Sequence, residues 1–335
     1  MTLSAVVAKL FFSFLISFLF AFHLVPILRN VAFRLNILDV PDGCVKKHKQ
    51  PTPYLGGVAI YVAFLVSLSL VFPFENQMFS FLVGSTLLLF IGLIDDLVPL
   101  VPYQKFAGQV IATLCFLRAG FYLKSHFFHN VWAIPISFLW ILVLINAFNL
   151  VDVMDGLATA IAGAATVSFL IIALSLQQFV VAVILAALLG ALVAFFWYNK
   201  PPASMYLGDA GSLFLGGFLA TVPFMINWGQ YNWHGYIAPI VILAIPLLEI
   251  TTLILVRTYK KIPFYLPSPD HFSLYFQSNG WSKKVVLIYI LTLSVILFVC
   301  AYLFTFGLIN LSVLLICGTL FLIFWVGMLK KKIKT

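Results

Sequence analysis

The chain reads as an all-α integral-membrane protein, a polytopic bundle of about eleven helices. Two counts carry that reading: 63% of its 335 residues are hydrophobic and only 9% are charged. A water-soluble fold of this size has too much surface to cover with so few charges. The third observation is the length of the apolar runs. A hydrocarbon core about 30 Å thick takes about 20 residues of helix to cross, and the chain consists almost wholly of runs on that scale. Backbone facing lipid must satisfy its hydrogen bonds internally, so the runs are helices.

The first run, Thr2 to Val25, lacks a small-residue cleavage site and exceeds a signal-peptide core, which makes it a retained helix. Runs and breaks place helices near 3–28, 54–73, 78–94, 105–122, 131–148, 157–174, 179–197, 212–228, 236–255, 285–305 and 308–329. With no internal repeat, low-complexity linker or soluble segment, residues 1–335 read as one domain. Sixteen of the nineteen Lys and Arg residues fall on one side of this layout, and only Lys9, Arg118 and Lys124 fall toward the other. The positive-inside rule makes the rich side cytoplasmic, with the C-terminus there and the N-terminus outside a cell inner membrane. The acids, which that rule does not use, follow the same polarity. Asp39, Asp42, Asp95, Asp96, Asp152, Asp155, Asp209 and Asp270 share the basic side, leaving Glu75 outside and Glu249 within a helix. Solvated loops would scatter acids over both faces, so the gathering points to a charged site at the cytoplasmic end. Cys115, Cys300 and Cys317 lie in apolar runs and Cys44 in a basic loop, without CxxC spacing, which argues against structural zinc and disulfides.

Five segments carry the polar groups. Gly92-Leu93-Ile94-Asp95-Asp96 closes the third helix with adjacent carboxylates, with Lys105 and Gln109 on the next helix. Acids at a helix C-terminus oppose the macrodipole, so capping does not explain them. Paired carboxylates suit Mg²⁺ or a phosphoryl-acceptor base; the plain alternative is two solvated loop acids. The fifth helix runs into Asn146, Asn149, Asp152 and Asp155, each three residues from the last. Continuous helix would wrap these over half its circumference, so the helix should end near Asn149 and open toward the site. A cap at Asp155 and asparagine bonds across helices would explain part of the pattern, not four polar groups together. Tyr206-Leu207-Gly208-Asp209-Ala210-Gly211-Ser212 precedes the eighth helix, where Asp209 could be an N-cap or, between glycines and near a helix N-terminus, could approach a phosphate. Lys46 to Gly57 mixes cations, His48 and a Gly pair, a pattern that also fits anchoring to anionic headgroups. The last cytoplasmic loop holds Arg257, Lys260, Lys261, Asp270 and His271. Glu249, about two turns inside the ninth helix, is costly there unless paired.

In chain order and on one membrane face, His48 to Gly57, the Asp95-Asp96 pair with Lys105, Asn146 to Gly156 and Gly208 to Ser212 resemble the polyprenyl-phosphate N-acetylhexosamine-1-phosphate transferases. That family includes the undecaprenyl-phosphate GlcNAc-1-phosphate transferases and the phospho-MurNAc-pentapeptide translocases, and the resemblance spans nearly the whole chain. It implies a helical bundle with a cytoplasmic catalytic cleft, a UDP-N-acetylhexosamine donor such as UDP-GlcNAc, an undecaprenyl-type phosphate acceptor and release of UMP. It also implies Mg²⁺, with Mn²⁺ as the substitute, and admits a homodimer; no nucleic acid is involved. By that analogy Asp95, Asp96, Asp209 and His271 are catalytic, with Asp209 and Asp155 as metal ligands. Asn149, Asp152 and Asp155 would line the nucleotide-sugar site, and Lys105, Lys47, His48 and Arg257 would bind substrate. Two departures are visible. Val153 stands where the family has Gly between its two aspartates, and the last loop keeps one histidine, His271, where the family commonly has a cluster. The second favours the GlcNAc-type branch over the peptidoglycan-precursor branch.

Two other classes fit less well. The CDP-alcohol phosphotransferases need an Asp-Gly-x-x-Ala-Arg opening, and Asp155-Gly156-Leu157-Ala158-Thr159-Ala160 does not supply it. A transporter of lipid-linked solutes should show midplane charges and a two-fold repeat, whereas Glu249 is the one deep acid.

Overall fold

The computed structural model describes residues 3–39, 51–71, 76–124, 130–263, 266 and 268–333. Thirteen α-helices occur among them: α1 Leu3–Arg34, α2 Gly56–Val71, α3 Asn76–Leu97, α4 Pro102–Arg118, α5 Asn130–Val151, α6 Leu157–Ser175, α7 Phe179–Asn199, α8 Gly208–Thr221, α9 Ala238–Ile242, α10 Ala244–Tyr259, α11 Phe272–Ser278, α12 Lys283–Thr305 and α13 Leu311–Ile333. A two-stranded antiparallel ribbon, β1 Leu38–Asp39 with β2 Thr52–Pro53, pairs Leu38 with Pro53 and Asp39 with Thr52. Six of the described helices are long and apolar enough to cross a membrane, or seven if the bent pair formed by Gly235–Ile242 and α10 is one span. The chain is thus a helical membrane protein, and every expected stretch contains helix.

Burial separates the helices. On α8 nearly every residue is buried and on α7 two thirds are, whereas α1 and α13 leave large apolar side chains exposed, as a lipid-facing rim does. The short α8 is the central post, packed on α2, α3 and α5, while α1 lies along α7.

Three boundaries differ from expectation in ways that matter to the site. The third helix runs on to Leu97, so Asp95 and Asp96 sit inside its last turn. The eighth begins at Gly208 rather than 212, which puts Asp209 in its first turn instead of at the cap. The ninth, expected as one helix over 236–255, breaks at Leu243 with a 66° bend. Pro246 accounts for the break: it has no N–H to donate, and its ring would strike the carbonyl four residues back, at Ile242. The short α11, which begins directly after His271, had no counterpart in the reading of apolar runs.

Candidate active site

The ends of α3 and α5 meet the starts of α4 and α8, and Lys105 ties the four together. Its ammonium donates to Asp95 Oδ2 of α3 (2.8 Å), Asn149 Oδ1 of α5 (3.3 Å) and Asp209 Oδ2 of α8. An ammonium has three N–H donors, and each has an acceptor here. The Asn149 amide donates in turn to Asp209 Oδ1 (2.8 Å) and Ser212 Oγ (3.0 Å). The Asp95 and Asp209 carboxyls lie within hydrogen-bonding reach of each other. Two like charges so close are tolerable because Lys105, only 17% exposed, lies between them.

Asp96 points elsewhere. Its two oxygens accept the backbone N–H groups of Asp209 (2.9 Å) and Ala210 (3.1 Å), so a carboxylate from α3 caps the first turn of α8. This placement is favourable, because the free N–H groups and the dipole at a helix start attract negative charge. Gly208 makes it possible. Its φ is +75°, and a Cβ there would lie 2.6 Å from Asp96 Oδ2. Asp95 is fixed by its other oxygen, which accepts the Leu100 N–H at 2.7 Å.

The Pro53-Tyr54-Leu55-Gly56-Gly57 segment lies alongside. Tyr206 N–H donates to Pro53 O (2.8 Å), and the N–H groups of Gly56 and Gly57 donate to Tyr206 O (3.1 Å) and Leu207 O (2.8 Å). Gly57 is needed for this approach, since a Cβ would fall 2.1 Å from the Gly211 nitrogen. The glycine pair thus holds α2 against the start of α8. The Tyr206 side chain bonds Thr52, and burial together with the charges of Asp155, Asp39 and Asp152 pushes its phenol above the usual range.

The loop from α5 to α6 supplies the remaining acids. Asp155 Oδ2 accepts from Lys283 Nζ at the start of α12 (2.9 Å) and from the Ala203 N–H (3.3 Å). The Asp152 carboxyl has no hydrogen bond or ion pair among the described residues, although its backbone N–H donates to Asn149 O (3.2 Å). Burial raises its pKa well above the carboxylate range, and the charges of Asp209, Asp96 and Asp155 push the same way. Five aspartates therefore gather around two lysines, Lys105 and Lys283, leaving an excess of negative charge. No group of three or more His, Cys, Asp or Glu among the described residues is arranged to enclose a metal ion. Mg²⁺ does not need one, because it commonly takes one or two carboxylates and fills its octahedron with phosphate oxygens and water. The unpartnered Asp152 carboxyl in this field fits such a cation, with Asp209 and Asp155 as neighbours already held by lysines.

A second cluster forms where the start of α11 meets α10. His271 Nδ1 lies 2.9 Å from Glu249 Oε1, and Phe272 N–H donates to Glu249 Oε2 (3.4 Å). Arg257 Nε donates to Ser268 Oγ (2.9 Å), and Lys260 pairs with Asp270 (3.2 Å). The partner that Glu249 requires is thus His271.

The structure gathers Asp95, Asp96, Lys105, Asn149, Asp152, Asp155 and Asp209 at one end of the bundle and sets Arg257 and His271 in the second cluster. Lys47 and His48 lie outside the described residues. Lys283, Ser212 and Tyr206 join the site without having been singled out. Lys283 is 128 positions from the aspartate it pairs with, and nothing local marks it; Ser212 and Tyr206 lie in the motif around Asp209 and could have been read with it.

Carboxyls held by lysines thus gather at one end of a helical membrane bundle. Residues 78–227 match the model of glycosyl transferase family 4. The chain is 27% identical over 290 residues to the "Probable undecaprenyl-phosphate N-acetylglucosaminyl 1-phosphate transferase" of Bacillus subtilis (strain 168), covering 83% of this chain and 81% of that protein. It is 33% identical over 242 residues to the phospho-N-acetylmuramoyl-pentapeptide-transferases of Bacillus thuringiensis (strain Al Hakam) and Bacillus cereus (strain AH187), covering 64% of this chain and 73% of each. The chain belongs to glycosyl transferase family 4. The matched stretch contains Asp95 through Asp209, the whole of the Lys105 cluster.

Proposed function

We propose that this protein transfers a sugar 1-phosphate, an N-acetylhexosamine 1-phosphate such as GlcNAc 1-phosphate, from a UDP-sugar to undecaprenyl phosphate and releases UMP. The product, a polyprenyl diphosphate sugar, starts a lipid-linked cell-envelope glycan. The Lys105 cluster is the observation that carries this reading, because it unites the acids and the asparagine of three separate segments that the family match spans. The names and organisms of the relatives support a bacterial lipid-phosphate acceptor. The 27% relative, matched over more of this chain, and the single histidine of the last loop favour GlcNAc over MurNAc-pentapeptide.

The chemistry is a phosphoryl-centre substitution. A lipid-phosphate oxygen attacks the β-phosphorus of the UDP-sugar, the bond from that phosphorus to the bridging oxygen breaks, and UMP leaves with the bridging oxygen. Two anions must meet in line, and positioning and charge compensation make up most of the catalysis. In this reading Asp96 sets the start of α8 and hence the position of Asp209, Asp95 orients Lys105, and Asn149 fixes the Asp209 carboxylate. Lys105 offsets phosphate charge by exchanging one of its three partners for a phosphate oxygen. Asp152 and Asp209, with Asp155 close by, would hold Mg²⁺ or Mn²⁺, which would supply positive charge against the phosphates. In this reading the end of the bundle that holds the cluster is cytoplasmic, as the positive-inside count supports, on the side where UDP-sugars are made.

The test is UMP release by purified protein in detergent, given undecaprenyl phosphate and a panel of UDP-N-acetylhexosamines, with Mg²⁺ or EDTA. Lipid-dependent UMP release from one donor is expected, with Asp209→Asn and Asp95→Asn folded but inactive. Near-wild-type turnover by either variant removes that residue from the site, and silence across the panel from folded wild type overturns the reading.

A further inference from the structure

The second cluster contains a buried acid to which the transfer mechanism above gives no role. Glu249 is 1% exposed, on α10 just beyond the 66° break, where an unpaired carboxylate would cost several kcal/mol. Both its oxygens are directed at one two-residue step of chain. Oε1 meets His271 Nδ1 at 2.9 Å and Oε2 accepts the Phe272 N–H at 3.4 Å. The carboxylate therefore fixes the imidazole and the backbone that carries it. With Nδ1 held as the N–H donor to Glu249, the other ring nitrogen, Nε2, has no partner among the described residues. Phe272, fully buried against Trp325 of α13 and Phe276 (ring centroids 5.2 and 6.1 Å), keeps that backbone from rotating.

A ring gripped at one nitrogen by a carboxylate presents the other at a defined place. Charged, it donates Nε2–H to a phosphate oxygen; neutral, it accepts a proton from a phosphate monoester. At metal-bound histidines, where a second partner likewise sets tautomer and ring direction, its removal costs about 10- to 100-fold in metal affinity or activity. We propose that Glu249 is the positioning residue for His271, holding the imidazole by Nδ1 so that Nε2 faces a phosphate group of the substrate pair. This rests on the transferase reading above.

The test is a double-mutant cycle with Glu249→Gln, His271→Asn and the pair, assayed as UMP release from UDP-N-acetylglucosamine and undecaprenyl phosphate. The expected result for Glu249→Gln is a kcat lower by about 10- to 100-fold with KM for the nucleotide sugar within about twofold of wild type. In the His271→Asn background it should cost nothing further. Glu249→Asp, which keeps a carboxylate one methylene shorter, should recover part of the loss and stands in if Glu249→Gln fails to fold. The ¹⁵N shifts of the His271 ring should report Nδ1–H in wild type and a mixture of tautomers in Glu249→Gln. Wild-type kcat in Glu249→Gln or in His271→Asn overturns the proposal, and so do losses that multiply in the double variant. No UMP release from wild type, by contrast, overturns the transferase reading itself.

Discussion

Lys105 concentrates the electrostatics of the site in one side chain. Its three acceptors come from three different helices, so no single neighbour can replace it. Lys105→Met should leave Asp95 and Asp209 as adjacent, uncompensated carboxylates and cost roughly 2–3 kcal/mol, less than a fully buried pair because the rim is partly wet. Lys105→Arg keeps the charge but offers a planar fork where three acceptors surround a compact ammonium. It should retain most of the stability and still lose about 100-fold in kcat, as melting in detergent and UMP release would show together; wild-type turnover in the arginine variant would show that charge alone suffices. Asp152 is the opposite case, an acid with nothing to hold its charge. Its pKa is raised in the folded protein, so folding favours the proton. The stability it contributes is complete below the ordinary carboxylate range and is lost as pH climbs through the raised native value. Asp152→Asn stays neutral, so it should melt above wild type at neutral pH, converge with it in acid and lack transferase activity. A melting temperature at or below wild type at neutral pH would mean that Asp152 is already compensated. The same shift predicts that a divalent cation, in binding there, displaces a proton and binds more weakly as pH falls. Titration calorimetry in buffers of different ionisation enthalpy reads this directly.

At the scale of elements, the site depends on helix ends more than on helix bodies. The first turn of α8 has its cap supplied by Asp96 of α3, 113 positions away, and Gly208 leaves the space through which the two meet. Gly208→Ala should be costly twice over, by roughly 1–2 kcal/mol for a left-handed non-glycine residue and by displacing Asp96. The expected outcome is a lower melting temperature with near-complete loss of UMP release. Gly163→Ala on α6, where a Cβ meets nothing within 4 Å, is the control and should keep UMP release with a melting temperature at or above wild type; equal losses from the two would refute the close-approach argument. This arrangement also explains what the sequence could and could not disclose. Apolar runs long enough to cross a membrane are a local property, so the starts of α6 and α7 fall at the expected residues, 157 and 179. The acids of the site were legible as types in order, because phosphate chemistry uses carboxylates and cations whatever the fold. Their pairings were not, since Lys105 with Asp209 and Lys283 with Asp155 are long-range contacts without local trace. The break at Leu243 was locally encoded in Pro246 but hidden within a continuous apolar run, and the start of α8 was misplaced because its cap is not its own residue.

Across the whole molecule, the polarity of charge is the strongest constraint, because sixteen cations and eight acids converge on the same side of the expected layout. The structure sets Lys105, Lys283 and five of those acids in one cluster, while Arg118 and Lys124 lie near the far end of α4. A membrane inserted by the positive-inside rule would leave the cluster in the cytoplasm and Lys124 outside. Both Lys284 and Lys124 are exposed, so each can carry a reporter thiol. After replacing the four native cysteines with serine, Lys284→Cys should be blocked by a membrane-impermeant maleimide only in inside-out vesicles, and Lys124→Cys only in intact spheroplasts. Neither position touches the Lys105 cluster, so UMP release should persist in both proteins and confirm that the labelled molecules are folded. The reverse labelling pattern would put the acids on the side without nucleotide sugars, and a donor built on UDP would then have to be abandoned even if the helices and the cluster stand as described.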